Sequence, residues 1–130
     1  MADLLNVVWK WQPIGDGWDI APDPVIWISV RAMDAAWSAS EDYIAHGGEG
    51  SLHVGRYGQF AKFFVDARFI AMPTVLLDDE GAVSFTNGRH RFARLRDQGL
   101  AALPIEVPVS RAALFTTRFG TSDRVGVVSK

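Results

Sequence analysis

The residues with the clearest capacity for chemistry lie in one short run, Asn87-Gly88-Arg89-His90-Arg91. Asn and Gly tolerate the left-handed backbone of a sharp turn, and good helix formers follow them. The first turn of a helix carries the positive end of its dipole and exposes backbone N–H groups. Cations there are unfavourable unless an anion is bound. We therefore predict an anion site at Asn87–Arg91, with phosphate as the leading ligand.

A second interpretation of these arginines stands beside the first. Arginine is a strong helix former, and an arginine-rich helix is often only a solvated face. Arg94 and Arg96 fit that description, with Asp97 or the Asp78–Glu80 turn as their ion-pair partners. Arg89 and its neighbours differ because they follow a strand and a glycine turn, the place where open α/β folds bind ligands.

A hairpin is predicted immediately before the site. The runs Thr74–Leu77 and Ala82–Thr86 are apolar and β-prone, and the turn Asp78–Gly81 between them is short. That spacing favours an antiparallel pair. The second strand then delivers the chain to the Asn-Gly turn.

A helix and a buried strand are predicted immediately after the turn. The helix runs from Gly88 to Gln98, with Phe92 and Leu95 on its buried face, and Gly99 ends it. The continuous apolar run Leu103–Val107 is typical of a buried strand.

The remaining predicted elements complete a small mixed α/β (α+β) domain with helices packed on a mixed sheet. They are, in chain order, Leu4–Trp11 (strand), Val25–Val30 (strand), Ala32–Ser38 (helix), Arg56–Ala67 (helix), Ile70–Leu77 (strand) and Arg111–Arg118 (helix). Trp37 is expected in the core, and Ser110 is a good N-cap for the last helix. We predict a single domain over residues 1–130, with its core at about 25–119 and a frayed polar tail from Gly120.

The segment Glu41–Gly55 is dense in glycine and precedes the predicted helix Arg56–Ala67. Such a segment is typical of a loop that orders over a ligand. It carries the candidate carboxylates Glu41, Asp42 and Glu49. His46 and His53 lie seven residues apart in it, which is not the spacing of metal ligands, and no metal site is predicted.

Composition excludes several classes of protein. The 130-residue chain has no cysteine, so it has no disulfide framework and no thiolate chemistry. It has no apolar run long enough to span a membrane and no signal-peptide pattern at Met1–Trp11, and we expect a cytoplasmic protein. The net charge of −2 argues against a general nucleic-acid coat. Residues 1–80 nevertheless hold 5 Lys/Arg against 12 Asp/Glu, and residues 81–130 hold 8 against 3, so a local positive cleft for DNA stays open.

A family resemblance rests on the motif MPxVxxDxxGxVSFTNGRHRFAxLRDxG, within a similarity from Trp27 to Val107. The strand, the N-G-R-H-R-x-A turn and helix, and the following LPIEV resemble the ParB/sulfiredoxin superfamily, and more narrowly the plasmid fertility inhibition factors. The resemblance implies that Asn87, Gly88, Arg89, His90 and Arg91 form the phosphate-contacting turn. Sulfiredoxins carry a catalytic cysteine where this chain has Arg89, so sulfinic acid reduction is excluded. We expect no helix-turn-helix DNA-binding domain in a chain of this length.

The function implied by the resemblance is interference with conjugative DNA transfer by a nucleotide-binding protein, with ATPase and DNA-cleaving activity. Its expected ligands are ATP or another nucleotide, with Mg²⁺, and its expected partners are DNA and a conjugation or secretion coupling protein. The catalytic candidates are His90, Arg91 and Glu41. Arg56 and Tyr57 are expected to close over the ligand.

Two alternatives stay open from the sequence. One is a non-catalytic interaction module that docks on a secretion or conjugation component through Trp9, Trp11 and Trp18, because aromatic residues are enriched at interface hot spots. The other is a nuclease, which requires carboxylates that hold a metal beside a basic groove.

Overall fold

The computed structural model describes residues 7–11, 24–45 and 69–129, and these form seven strands and three α-helices. The strands are β1 (Val8–Lys10), β2 (Val25–Ser29), β3 (Phe69–Ala71), β4 (Thr74–Leu77), β5 (Val83–Asn87), β6 (Ala102–Glu106) and β7 (Val127–Ser129). The helices are α1 (Val30–Trp37), α2 (Arg89–Asp97) and α3 (Ala112–Phe119), and a 3₁₀ turn, Val109–Arg111, precedes α3. The mixed α/β fold class is confirmed. None of the described helices is long and apolar enough to cross a membrane.

The larger sheet has the strand order β2-β6-β4-β5. β4 and β5 form the predicted antiparallel hairpin, with Leu77 opposite Val83 and a register irregularity after Thr74. β6 lies parallel to β4 and antiparallel to β2, and all of its residues are buried. The apolar run after Gly99 is therefore an inner strand, as its composition predicts.

A second, three-stranded parallel sheet has the order β3-β1-β7. Residues from Gly120 onward were expected to be a frayed tail, but Val127–Ser129 form β7 and pair with β1. The strand predicted within Leu4–Trp11 is present as β1, and it lies between β3 and β7. Short-range sequence patterns carry no information about a pairing across more than 100 residues, which is why the sequence misses this sheet.

The core forms where α1 and α2 meet the larger sheet. Trp37 is fully buried, as predicted, and its ring makes edge-to-face contacts with Phe85 and Phe92 at centroid distances of 4.8 and 5.6 Å. Ser29 caps α1, since its Oγ accepts a hydrogen bond from the N–H of Ala32. These contacts fix the end of α1 against the strand that leads into the candidate site.

The start of α3 differs from the prediction. Ser110 was expected to cap a helix at Arg111–Arg118, but it lies within the 3₁₀ turn, and α3 begins at Ala112 without a side-chain cap. Pro108 precedes this turn in an extended conformation. The 3₁₀ turn therefore contains Ser110 and Arg111, the residues that were expected to begin the α-helix. The predicted helix Arg56–Ala67 lies outside the described residues.

Candidate functional site: the turn between β5 and α2

The turn that joins β5 to α2 requires glycine at position 88. Gly88 has a φ of +87° and precedes the first helical residue, and its C=O accepts the hydrogen bond from the N–H of Phe92. A Cβ at this position would lie 2.8 Å from Arg91 Nη1 and 3.0 Å from Pro73 Cα. Both the left-handed conformation and the close approach therefore exclude a side chain.

The first turn of α2 has the electrostatics expected of an anion site. No side chain caps the helix, and no acidic residue lies in its first turn. Its leading N–H groups have no acceptor within the helix, and the dipole adds positive potential at the same point. Asn87 is exposed at the end of β5, beside these groups.

Arg89 lies half-buried at this end of the helix. Its Nη1 donates a hydrogen bond of 3.3 Å to the backbone carbonyl of Asp42. The distance is at the long end for such a bond, so it costs little to exchange for a charged acceptor. Arg89 is thus the arginine whose guanidinium is best placed to donate hydrogen bonds to an anion.

The side chain of Arg91 has a structural role. Its Nη1 donates to the carbonyl of Ala71 at 2.7 Å, which ties the start of α2 to the end of β3. Burial lowers the pKa of Arg91, while the charge of Glu106 opposes that shift. An anion at Arg91 would share a guanidinium that already has a structural acceptor.

The other two catalytic candidates lie in different environments. His90 is only 6% exposed, so its ring is packed inside the protein. Glu41 is exposed, just after the turn that follows α1. The described structure provides no hydrogen bond that joins these two side chains, and no group of three or more metal-ligating side chains occurs among the described residues.

Asp42, the second candidate carboxylate, is held in place by the core. Its Oδ1 accepts a hydrogen bond from Trp37 Nε1 at 2.9 Å, and its Oδ2 accepts from the N–H of Phe85 at 3.4 Å. The same residue offers its carbonyl to Arg89. Asp42 is therefore a structural link between α1, β5 and the candidate site.

The prediction that Arg96 lies on a solvated face is wrong, because Arg96 is only 7% exposed. Its Nε donates to Asp97 Oδ1 and its Nη1 to Asp34 Oδ1, both at 2.9 Å, and Nη1 also bonds the carbonyl of Ile44. Burial opposes the charge of Arg96, but the hydrogen bonds and charges of Asp97 and Asp34 outweigh it and raise the pKa. Its Nη2 has no acceptor within the described part of the chain.

Helical spacing in the sequence could have predicted that Arg96 is buried. It lies four residues after Phe92, so both project from the same face of α2. Tyr43 covers the guanidinium, with its ring 5.6 Å from Arg96 Cζ, and donates to Asp34 Oδ2. Burial, followed by the charge of Asp34, raises the pKa of Tyr43.

Several sequence candidates fall outside the described residues, namely Arg56, Tyr57, Glu49, His46, His53 and Trp18. Of the other tryptophans proposed as a docking surface, Trp9 is fully buried and donates from Nε1 to the carbonyl of Val125 at 2.7 Å. Trp11 is half-buried. Trp9 therefore packs in the core and cannot be an exposed contact residue.

Comparison with known proteins supports one family. Residues 60–120 match the model of the plasmid fertility inhibition factor family, and this match includes the candidate turn and α2. The chain is also similar to the crystal structure of an oncogenic suppression activity protein, a plasmid fertility inhibition factor, with a TM-score of 0.61 and 19% identity. The similarity covers 80% of this chain and 61% of that one, and at this identity it shows the fold. No curated protein matches the chain.

Proposed function

We propose that this protein is a plasmid fertility inhibition factor that interferes with conjugative DNA transfer. The observation that carries the proposal is the family match over residues 60–120. That match contains the hairpin, the Gly88 turn and α2, which are the elements that form the candidate site. The similarity of fold to a plasmid fertility inhibition factor supports it independently. The cytoplasm, where plasmid DNA is processed, is the proposed location.

The proposed ligand of the β5–α2 turn is the phosphate of a nucleotide, with ATP and Mg²⁺ as the first candidates. The first turn of α2 has no side-chain cap, so its leading backbone N–H groups are donors that a phosphate can use. Arg89 supplies a charge whose existing hydrogen bond is weak. Asn87 is exposed beside them and can donate from its side-chain amide.

Nucleotide hydrolysis and DNA cleavage are proposed activities of the same site. His90, Arg91 and Glu41 stay the predicted catalytic residues, with His90 as a proton carrier. Because His90 is buried and Arg91 bonds Ala71, these two reach a ligand only if the turn rearranges around it. Arg56 and Tyr57 remain predicted contacts of the same ligand.

The proposed partner is a conjugation or secretion coupling protein, together with DNA. The alternative of a non-catalytic interaction module loses part of its predicted surface, since Trp9 is in the core. A nuclease would need carboxylates that hold a metal ion, and the described residues contain no group of three or more metal-ligating side chains. Nucleotide-dependent inhibition of transfer is therefore the function we favour.

A mating assay tests this function. Donor cells that carry a conjugative plasmid express the wild-type protein, Arg89→Gln or Arg31→Gln, at matched levels. Arg31 is an exposed arginine on α1 that makes no hydrogen bond or ion pair among the described residues, so it is the control. We expect the wild type and Arg31→Gln to lower transfer frequency and Arg89→Gln to lose the effect. Unchanged transfer with folded wild-type protein, across plasmids of several transfer systems, would contradict the proposal.

A further inference from the structure

A groove lies at the edge of the larger sheet that is farthest from the candidate phosphate site. We call it the β2 groove. It has a volume of about 500 Å³ and is lined by Val25, Ile26, Trp27, Thr116, Gly120, Thr121, Ser122 and Arg124. Two whole strands, β6 and β4, separate β2 from β5, which leads into the phosphate site. The two sites are therefore independent.

One wall of the β2 groove is the outer edge of β2. Pro24 C=O accepts from the N–H of Val107, and the N–H of Val30 donates to the carbonyl of Ala101. Even-numbered residues of β2 thus exchange hydrogen bonds with β6. Because backbone groups alternate in direction along an antiparallel strand, the N–H and C=O of Val25 point away from β6, toward the open edge.

The same edge already accepts an extended segment at its other end. The N–H of Thr121 donates to the carbonyl of Trp27 at 3.1 Å, and Ile28 forms an antiparallel bridge with Gly120. No further bridge to β2 follows among the described residues, and Thr121, Ser122 and Arg124 line the groove. Among the described residues none pairs with the outward N–H and C=O of Val25, which lie beside the groove as an unfinished sheet edge.

Arg124, which also lines the groove, holds its guanidinium in a fixed orientation. Arg124 Cζ lies 5.2 Å from the ring centroid of Trp27, and Arg124 Nη1 donates to the carbonyls of Thr121 and Asp123 at 2.7 and 2.9 Å. Its Nε and Nη2 have no acceptor in the described part of the chain. Because stacking and two hydrogen bonds already hold the side chain, little conformational entropy is lost when it pairs with an anion.

We propose that the β2 groove binds an extended peptide segment that carries a carboxylate. The peptide backbone pairs with Val25 on the outer edge of β2, and its Glu or Asp side chain, or its C-terminal carboxylate, accepts from Arg124. This is strand addition, in which main-chain hydrogen bonds supply affinity and one charged contact supplies selectivity. Both features are needed, since the open edge alone would accept any sequence.

The probe is the capped peptide acetyl-Thr-Val-Glu-Val-Thr-amide, titrated into ¹⁵N-labelled protein and followed by NMR. We expect resonances to shift at the Val25 amide, the Trp27 indole N–H and the Arg124 Nε–H, and not at α2. The matched peptide with Gln in place of Glu should bind about ten- to a hundredfold more weakly, the scale of one charge-assisted hydrogen bond. Equal binding of the two peptides would overturn the proposal, as would shifts confined to other surfaces.

Two pairs of variants assign the contacts. Arg124→Gln should weaken binding of the Glu peptide by about the same ten- to hundredfold factor and leave the Gln peptide unaffected, whereas Arg31→Gln changes neither. Val25→Pro removes the outward N–H but no bond to β6, and proline is tolerated at the first residue of a strand. It should abolish binding, while Val25→Thr retains it. Undiminished binding to folded Val25→Pro would exclude strand addition.

Discussion

Three arginines of α2 have distinct roles that their sequence spacing alone does not separate. Arg96 lies in the core and Arg91 ties α2 to β3, whereas the hydrogen bond of Arg89 within the described part of the chain is a long one, to the carbonyl of Asp42. A guanidinium with committed partners is costly to remove, and one with a weak partner can be recruited by a ligand. Arg89 is therefore the arginine of this helix that we expect to bind the ligand.

Arg96→Ala tests the structural role directly. The change removes the guanidinium that pairs with both Asp34 and Asp97, whose side chains are 17% and 11% exposed. We expect a loss of about 2–4 kcal/mol in the free energy of unfolding, near the range for breaking a buried ion pair and reduced by the solvent that still reaches Asp34. Urea denaturation measures it. Arg31→Ala, at an exposed position, should stay within about 0.5 kcal/mol of wild type, and an equally small loss for Arg96→Ala would contradict the assignment.

Tyr43 should make the protein less stable in alkali. Burial and Asp34 raise its pKa above the ordinary value of 10.0. Its contribution is fully present below pH 10.0 and is lost as the pH rises through the folded-state pKa, because the unfolded chain ionises first. We expect the free energy of unfolding to fall over that window in wild type and to fall less in Tyr43→Phe. An identical slope in both proteins would show that Tyr43 is not the group responsible.

At the scale of elements, the β5–α2 turn is the feature that the site depends on. Two turn glycines of the chain share a φ of +87°, Gly88 before α2 and Gly99 after it. They differ in their surroundings, since a Cβ at Gly88 meets Arg91 and Pro73, whereas one at Gly99 meets nothing within 4 Å. This pair separates the conformational requirement from the steric one.

We expect Gly99→Ala to cost about 1–2 kcal/mol, the penalty of a left-handed residue with a side chain. Gly88→Ala should cost more, because Pro73 Cα belongs to the backbone and cannot move aside easily. Thermal or urea unfolding of both variants gives the difference. If the two variants lose equal stability, the close packing of the turn against Pro73 is not significant.

At the scale of the whole molecule, β1 and β7 join the two ends of the described chain. β1 lies between β3 and β7, and Trp9 on β1 is fully buried with its indole bonded to Val125. Gly126 lies in this junction, where a Cβ would approach the Val7 carbonyl to 2.2 Å. The C-terminal residues therefore contribute to folding.

Charged substitutions on the two faces of β7 test this contribution. Val128 lies opposite Trp9 and packs on the core, and its neighbour Val127 is 61% exposed. We expect Val128→Lys to lower the free energy of unfolding by about 1–3 kcal/mol, the usual range for a charge placed in packed surroundings. Val127→Lys should have almost no effect. A tail that does not pair with β1 would tolerate both changes equally.

The sequence predicts secondary-structure elements and turns, but not the contacts between residues that are far apart in the chain. The hairpin, the Gly88 turn, α2 and β6 each carry a turn residue or an apolar period within a few positions, and all appear in the structure. The pairing of β7 with β1, the ion pair of Arg96 with Asp34 and the hydrogen bond from Arg91 to Ala71 join residues far apart in the chain. No periodicity encodes such contacts, because they depend on the register of packed elements.

For the candidate site, too, the sequence predicts the local structure but not the tertiary contacts. The residue types of Asn87–Arg91 predict a turn followed by the start of a helix, and the structure has both. Which of its side chains can reach a ligand could not be read from the sequence, since the burial of His90 and the anchoring of Arg91 are tertiary effects. Arg89 emerges as the available cation only from the structure.

The most direct test is a titration of the protein with ATP and Mg²⁺, with calorimetry for affinity and NMR for location. We expect binding that shifts the amides of Arg89, His90 and Arg91. Arg89→Gln should weaken it by about ten- to a hundredfold while the free energy of unfolding is unchanged, and Arg31→Gln should bind like wild type. Absence of binding, or an affinity that Arg89→Gln leaves unaltered, would contradict a phosphate site at the β5–α2 turn.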